Sequence, residues 1–337
     1  MASVPVSSAD KLVDRHGRAI SYLRISVTDR CDLRCRYCMA EAMTFLPRAE
    51  LLSLEEIALI AERFVARGVR KIRLTGGEPL VRRDMIDLAR RLGRQVGTGL
   101  DELTLTTNAT RLAAHAKDLF AAGMRRINVS LDSRDSALFR HITRHGDVAK
   151  VLEGIAAAKA AGLRIKINMV ALKGLNEHEI APMLAWAGDE GHDLTLIETM
   201  PLGQIDEDRM DRFLPLPRVL AELRDRFDLV PDDHQSGGPA RYWRLAGTGT
   251  RLGLISPLTG NFCASCNRVR LSTDGKLHMC LGHEDSVDLR AAIRTGGLAE
   301  VDTQISRALD LKPAAHDFRI EAGAAPAVAR HMSVTGG

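Results

Sequence analysis

The chain reads as an α/β protein whose parallel strands surround one mouth, and three observations carry that reading. Strand-like and helix-like stretches alternate from residue 21 to residue 199, which makes six βα units. Such alternation argues for parallel strands joined by right-handed crossovers. One junction recurs: Ala-Arg-Gly-Val-Arg at 66–70, Ala-Ala-Gly-Met-Arg at 121–125 and Ala-Ala-Gly-Leu-Arg at 160–164. In each, glycine supplies the left-handed cap of a helix and the next apolar residue turns back onto the core. Polar residues collect at strand interiors or C-terminal ends, at 31–38, 76–79, 106–108, 130–132, 166–168 and 198–200. A doubly wound open sheet is the alternative. Many strands feeding one site favours a (β/α) barrel mouth instead.

The elements follow in order. Leu23, Ile25 and Val27 alternate with Tyr22, Arg24 and Ser26, so 21–27 is a strand with two different faces. Ser53-Leu54-Glu55-Glu56 is a capping box opening a helix with Ile57, Ile60, Ala61 and Phe64 on one face. Further strands are expected at 71–75, 103–107, 127–131, 164–171 and 194–199, with helices near 83–93 and 177–188. Beyond 213 the pattern changes. A helix at 216–227 precedes short strands at 241–246, 250–256 and 267–272, then two short helices at 286–295 and 298–310. Residues 231–241 are the loosest internal stretch, and the tail from Lys312 is rich in Ala, Gly and His.

At 337 residues the chain allows one large domain, or one plus a smaller one. A 45% hydrophobic fraction is enough for a real core, and no apolar run reaches membrane-spanning length. No charged segment followed by an apolar one opens the chain, so a cytoplasmic, reduced protein is expected. Its six cysteines then suit metal ligation better than disulfides. A net charge of +4 and 4% aromatics give no platform for nucleic acid.

Those cysteines form two sets of three. Cys31, Cys35 and Cys38 make C-x3-C-x2-C, and Cys263, Cys266 and Cys280 make C-x2-C-x13-C. A four-iron cube held by three thiolates keeps one iron open to a small molecule. Zinc is the rival. It wants four ligands, usually as cysteine pairs, which fits the first set badly. For the second set zinc is a serious alternative, with His278 or His283 as fourth ligand. Gly76-Gly77-Glu78-Pro79 follows a strand; its glycines allow a ligand close to the backbone, and Glu78 could accept from an amino group. Arg24 lies on the polar face of the first strand, and an arginine inside a barrel needs an anion. Arg268 and Arg270 stand two apart on one strand face, as do Lys166 and Asn168. A solvated face is the plain alternative for the arginine pair.

On C-x3-C-x2-C and GGEP the chain resembles the radical S-adenosylmethionine (SAM) superfamily. On C-x2-C-x13-C, the run Asn267-Arg268-Val269-Arg270 and the terminal Gly336-Gly337 it further resembles the GTP 3′,8-cyclase family. The resemblance implies an incomplete six-stranded (β/α)6 TIM-like barrel over 1–213, holding an N-terminal [4Fe-4S] cluster. It implies a C-terminal extension over 214–337 with an auxiliary [4Fe-4S] cluster and the Gly-Gly tail. SAM chelates the open iron of the first cluster; Gly77, Ser130 and Met200 match its contacts, and Tyr37 matches the aromatic residue beside adenine. Arg268 and Arg270 match residues that hold GTP, whose guanine meets the second cluster. Arg24, Arg73, Thr106 and Lys166 match further GTP contacts. Arg24, Arg268, Arg270, Gly336 and Gly337 are the expected catalytic residues, the two glycines by tail insertion into the barrel. Ala109 stands where the family pattern often has Gly after Thr-Thr-Asn.

The implied reaction is one-electron cleavage of SAM, hydrogen abstraction at C3′ of GTP, and attack of C3′ on C8. Reduction and protonation then give 3′,8-cyclo-7,8-dihydro-GTP, the first step of molybdenum cofactor biosynthesis. A reduced donor such as flavodoxin, the downstream cyclic pyranopterin monophosphate synthase and a homodimer are the implied partners. Two rivals are a radical-SAM modifier of peptides or haem precursors, and a zinc-ribbon module fused to an iron–sulfur redox sensor. The first needs no Arg268/Arg270 pair, and the second needs no GGEP.

Overall fold

The computed structural model describes residues 11–205, 209–319, 321 and 325–336. Six strands alternate with helices as expected: β1 Tyr22–Ser26, β2 Lys71–Thr75, β3 Glu102–Thr107, β4 Arg126–Ser130, β5 Arg164–Ala171 and β6 Asp193–Glu198. All five β1–β6 pairings are parallel and run in sequence order. The helices between them are α1 Leu54–Ala66, α2 Met85–Gly93, α3 Leu112–Ala121, α4 Ser136–Thr143, α5 Val148–Ala160 and α6 Ile180–Glu190. They cover the outer face of the sheet. The α1 capping box is present in both directions, Ser53 accepting from the Glu56 amide and Glu56 from the Ser53 amide. The junction glycines Gly68, Gly123 and Gly162 have φ of 97°, 94° and 90°, a region that other residues enter only at a cost.

The C-terminal region joins the same sheet. After α7 Arg209–Arg212 and α8 Leu216–Arg224 come β7 Leu229–Asp232, β8 Arg241–Leu245 and β9 Arg251–Ile255. β10 Arg268–Leu271, β11 Lys276–His278 and β12 Ser286–Asp288 follow. The strand order is β12-β11-β10-β1-β2-β3-β4-β5-β6-β9-β8-β7. β10 pairs parallel to β1 and β9 parallel to β6, which widens the parallel core from six strands to eight. A six-stranded open sheet would expose two rows of unpaired backbone groups. These two strands cover both, and antiparallel hairpins carry the sheet to edges at β12 and β7.

Two helices were expected at 286–295 and 298–310. Both are present along α9 Leu289–Asp310, which a kink at Gly297 (φ 65°, ψ −156°) parts into two helices; the first begins at Leu289 because residues 286–288 pair as a strand. A short α10, Met332–Thr335, is the last helix among the described residues. Among the described residues no helix is long and apolar enough to cross a membrane.

Strand alternation decides which side chains meet. Leu23 and Ile25 pack outward in the main apolar core with Ile57, Ile60, Ala61 and Phe64 of α1. Tyr22 and Arg24 point the other way, into the lumen. A second, small apolar cluster of Leu202, Phe318 and Val328, with Met200 and Met332, packs the tail against the mouth.

Candidate active site

Two cavities share the lumen. The first is lined by Cys31, Cys35, Cys38, Tyr37, Gly76, Gly77, Thr106, Ser130, Asp132 and Met200, among others. The second is lined by Cys263, Cys266 and Cys280 together with Arg24, Arg73, Lys166, Arg268 and Arg270. Asn168, Ile197, Met200 and Met332 belong to both walls, so the cavities adjoin. Each cysteine set therefore opens into one end of a common space.

The first triad lies in a negative setting. Burial, then the Glu78, Cys38 and Asp32 charges, push the Cys31 thiol up to about 12 against a pull from the Leu33 amide. Burial and Asp132 push Cys38 up to about 11. The loop is fixed by its neighbours. The Asp32 carboxylate accepts from Asn108 Nδ2 and Thr110 Oγ1, both at 2.7 Å. Tyr37 donates to Asp132 Oδ2 at 2.7 Å, and the Val170 amide donates to Asp132 Oδ1 at 2.8 Å. Neither aspartate was singled out by the motifs, since both act through the tertiary fold.

Glu78 has a different task from the one expected. Its carboxylate is fully buried and accepts from the Leu80 amide, the Thr107 hydroxyl and the Asn108 amide. It ties the Gly-Gly loop to the end of β3 instead of lining the cavity. Gly77 has to be glycine, because a methyl group there would sit 2.3 Å from the Arg30 carbonyl oxygen.

The second triad lies among cations. Strand register sets Arg24 opposite Arg270 on one side and Arg73 on the other. Among the described residues Arg24, Arg73, Arg268 and Arg270 make no ion pair with a carboxylate, and the buried Nε atoms of Arg24 and Arg73 have no partner. Burial and then Arg270 hold the Arg24 guanidinium well below its usual range, and burial with Arg268 brings Arg270 to about 10. Arginine stays protonated in proteins, so an anion is what relieves this pressure. Lys166 donates to Tyr242 Oη at 2.6 Å, and Tyr242 donates to Ser236 Oγ at 2.7 Å. Burial raises Cys266, yet Arg268 and Lys312 outweigh it and draw the thiol down to about 7. Thr106 is placed apart from the other expected GTP contacts, in the first cavity.

All six cysteines are free. Among the described residues no three His, Cys, Asp or Glu side chains converge on a point suited to one metal ion. His283, one candidate fourth zinc ligand, meets the Ala315 carbonyl at 3.1 Å. Three free thiols at each end are the donor set that a four-iron cluster with one open iron takes.

The tail is inserted. Arg270 Nη1 donates to the Gly336 carbonyl at 3.1 Å, and a methyl group on Gly336 would meet Thr75 Cγ2 at 2.1 Å. Gly337 lies outside the described residues.

The family comparisons agree with this geometry. Residues 25–187 match the radical SAM superfamily and 192–318 match Molybdenum Cofactor Synthesis C. The chain is 60% identical to a GTP 3′,8-cyclase of Erythrobacter litoralis, over 98% of this chain and all of that one. It is 58% identical to one of Rhizobium etli, over 100% of this chain and 97% of that one. The chain belongs to the GTP 3′,8-cyclase family. Among solved structures, Streptococcus suis SuiB bound to S-adenosylmethionine superposes with a TM-score of 0.62 at 14% identity. It covers 81% of this chain, which spans 64% of SuiB, and the likeness is one of fold. Beyond the family motifs, the structure adds Tyr242, Lys312 and the aromatic wall of Phe262, His316 and Phe318 to the second site. None stands in a spacing that marks it in the sequence.

Proposed function

We propose that the two cavities divide one reaction, the first taking SAM and the second GTP. The activity is that of the family: radical-SAM cyclisation of GTP to (8S)-3′,8-cyclo-7,8-dihydroguanosine 5′-triphosphate, which opens molybdenum cofactor biosynthesis. The enzyme uses SAM and [4Fe-4S] clusters. Bound through Cys31, Cys35 and Cys38, the first cluster supplies the electron that makes SAM a radical source. Every other task falls to the chain.

Support for the GTP end comes from one observation above the rest. A polyanion is the ligand that fits four guanidiniums and an ammonium with no carboxylate among them. Arg24, Arg73, Lys166, Arg268 and Arg270 hold the triphosphate in this reading, with Tyr242 aiming Lys166. Tyr37, Gly77, Ser130 and Met200 hold SAM. The open boundary between the cavities brings the two ligands' reacting ends together, and such positioning is worth several kcal/mol. Thr106, on the SAM side, then serves the reacting end rather than the phosphates. The inserted Gly336 orders Arg270, and Cys263, Cys266 and Cys280 carry the auxiliary cluster beside the guanine. The division at residues 213 and 214, a cytoplasmic setting, a flavodoxin-type donor and delivery to a cyclic pyranopterin monophosphate synthase belong to the same reading.

The test is one anaerobic incubation of reconstituted protein with SAM, reductant and GTP, read by mass spectrometry. Cyclised nucleotide and 5′-deoxyadenosine in equal amounts are expected. Deoxyadenosine without the cyclised nucleotide would remove GTP as substrate.

A further inference from the structure

Lys312 stands two residues past Asp310, the last residue of α9, and is only 1% exposed. Burying an ammonium is expensive unless a negative charge faces it. Its Nζ donates to the Met279 carbonyl at 2.6 Å, the Arg268 carbonyl at 2.9 Å and Cys266 Sγ at 3.5 Å. Three N–H groups thus meet three acceptors, as a charged lysine requires. The carbonyls satisfy hydrogen bonds but cancel no charge. Among the described residues no carboxylate pairs with Lys312. The negative groups that face it are the sulfurs of Cys266 and Cys280, while Arg18 adds a second cation nearby.

The surrounding segment is strapped over the second triad. Arg18, paired with Asp14 at 2.7 Å, donates to the Cys263, Ala314 and Pro313 carbonyls at 2.8, 2.8 and 2.6 Å. The His316 amide reaches Cys263 Sγ at 3.5 Å. The first triad has the opposite surroundings, with Asp32 Oδ1 3.9 Å from Cys31 Sγ and the carboxylates of Glu78 and Asp132 buried close by. Charge and hydrogen bonds at the sulfurs are two of the levers that set a cluster's reduction potential. The two ends of the lumen therefore differ in sign where it matters electronically.

We propose that Lys312 is a positioning residue for the auxiliary cluster, whose fixed charge and contact to Cys266 hold that cluster's reduction potential above that of the N-terminal one. The inference rests on reading Cys263, Cys266 and Cys280 as cluster ligands. A cation beside a cluster stabilises the added electron, so removing it makes reduction harder.

The experiment is a potentiometric titration of the full-length, reconstituted protein, followed by electron paramagnetic resonance, with iron counted on the same samples. Lys312→Gln keeps amide donors for both carbonyls and removes the charge. It is expected to retain full iron and to shift the C-terminal potential downward, leaving the N-terminal one in place. Lys312→Arg restores most of the shift. Loss of half the iron in Lys312→Gln but not in Lys312→Arg also supports the fixed charge. Unchanged potentials with full iron in Lys312→Gln overturn the proposal. Equal iron loss in both variants overturns it too, since packing then explains the residue. Wild-type protein with no iron in the C-terminal triad would instead remove the ligand reading beneath it.

Discussion

Arg268 and Arg270 illustrate what a single residue contributes here. Both are more than nine-tenths buried on adjacent inward positions of β10, and neither has a carboxylate among the described residues. The alternative of a solvated strand face is set aside by that burial. If they neutralise GTP phosphates, Arg268→Ala weakens GTP binding by roughly 1.5–3 kcal/mol, the range for charge-assisted hydrogen bonds, and leaves SAM binding alone. Equilibrium binding of each ligand checks this, and unchanged GTP affinity would end the assignment. Glu78 carries a second residue-scale expectation. Burial raises its carboxyl to about 7, against the opposing pull of the Asn108 and Leu80 amides and the Thr107 hydroxyl. A carboxyl raised on folding stabilises most while protonated in the folded state. Its contribution is full below the unfolded value near 4.5 and is lost as pH rises to about 7. Up to about 3.5 kcal/mol is at stake, at ~1.4 kcal/mol per unit. Thermal midpoints taken across that window should fall more steeply for the native protein than for Glu78→Gln. The variant is the less stable protein at low pH, because its amide nitrogen confronts the Asn108 N–H, and the gap narrows as pH rises.

At the scale of elements, the tail is the informative piece. α10 is four residues long, and a helix of that length is not stable by itself. It stays because Ser333 and Thr335 are buried and Arg270 grips the Gly336 carbonyl. Gly336 has φ of 75° and Thr75 pressed against the place a side chain would occupy. Gly336→Ala, like deletion of both terminal glycines, is therefore expected to leave iron content and fold intact while conversion of GTP falls by about 100-fold or more. Matched-iron assays beside the full-length protein decide it; equal rates would make the tail an ordinary end, and joint loss of iron would make it structural. How far such elements were legible depended on whether local rules governed them. The βα alternation, the Ser53–Glu56 capping box and the three junction glycines follow from spacing and cap chemistry, and all appear where expected. β7, β11 and β12 were not seen, because strands of three or four residues give too little alternation to outvote their neighbours. The register that aligns Arg24 with Arg73 and Arg270 is likewise tertiary information. So are the bonds of Asp132 to Tyr37, Tyr242 to Lys166, and Lys312 to Cys266, Arg268 and Met279, which span 33 to 95 positions in sequence.

On the scale of the whole molecule, the C-terminal region completes what the βα units leave open. β9 and β10 cover the two edges of the six-stranded core, and the loops before β10 and after β11 carry the second cysteine triad into the lumen. The sheet thus holds two thiolate sites at opposite ends of adjoining cavities, one bordered by carboxylates and one by cations. Two sites built on one sheet ought to load independently, since each draws all three sulfurs from its own segment. Anaerobically reconstituted protein is expected to hold about eight iron and eight sulfide, two four-iron cubes. Changing Cys263, Cys266 and Cys280 together to Ala should bring both counts to about half. The remaining cluster should still cleave SAM, because Cys31, Cys35 and Cys38 with Tyr37, Gly77, Ser130 and Met200 line the other cavity. Deoxyadenosine would then form slowly and without cyclised nucleotide. The converse variant, with Cys31, Cys35 and Cys38 changed to Ala, should keep the other half of the iron and still bind GTP, yet cleave no SAM. Iron and sulfide analysis, with chromatographic assay of deoxyadenosine, separates the outcomes. Zinc in place of iron at the C-terminal triad, or loss of all iron from either triple variant, would show that the two ends are not the independent cluster sites their separate cysteine segments imply.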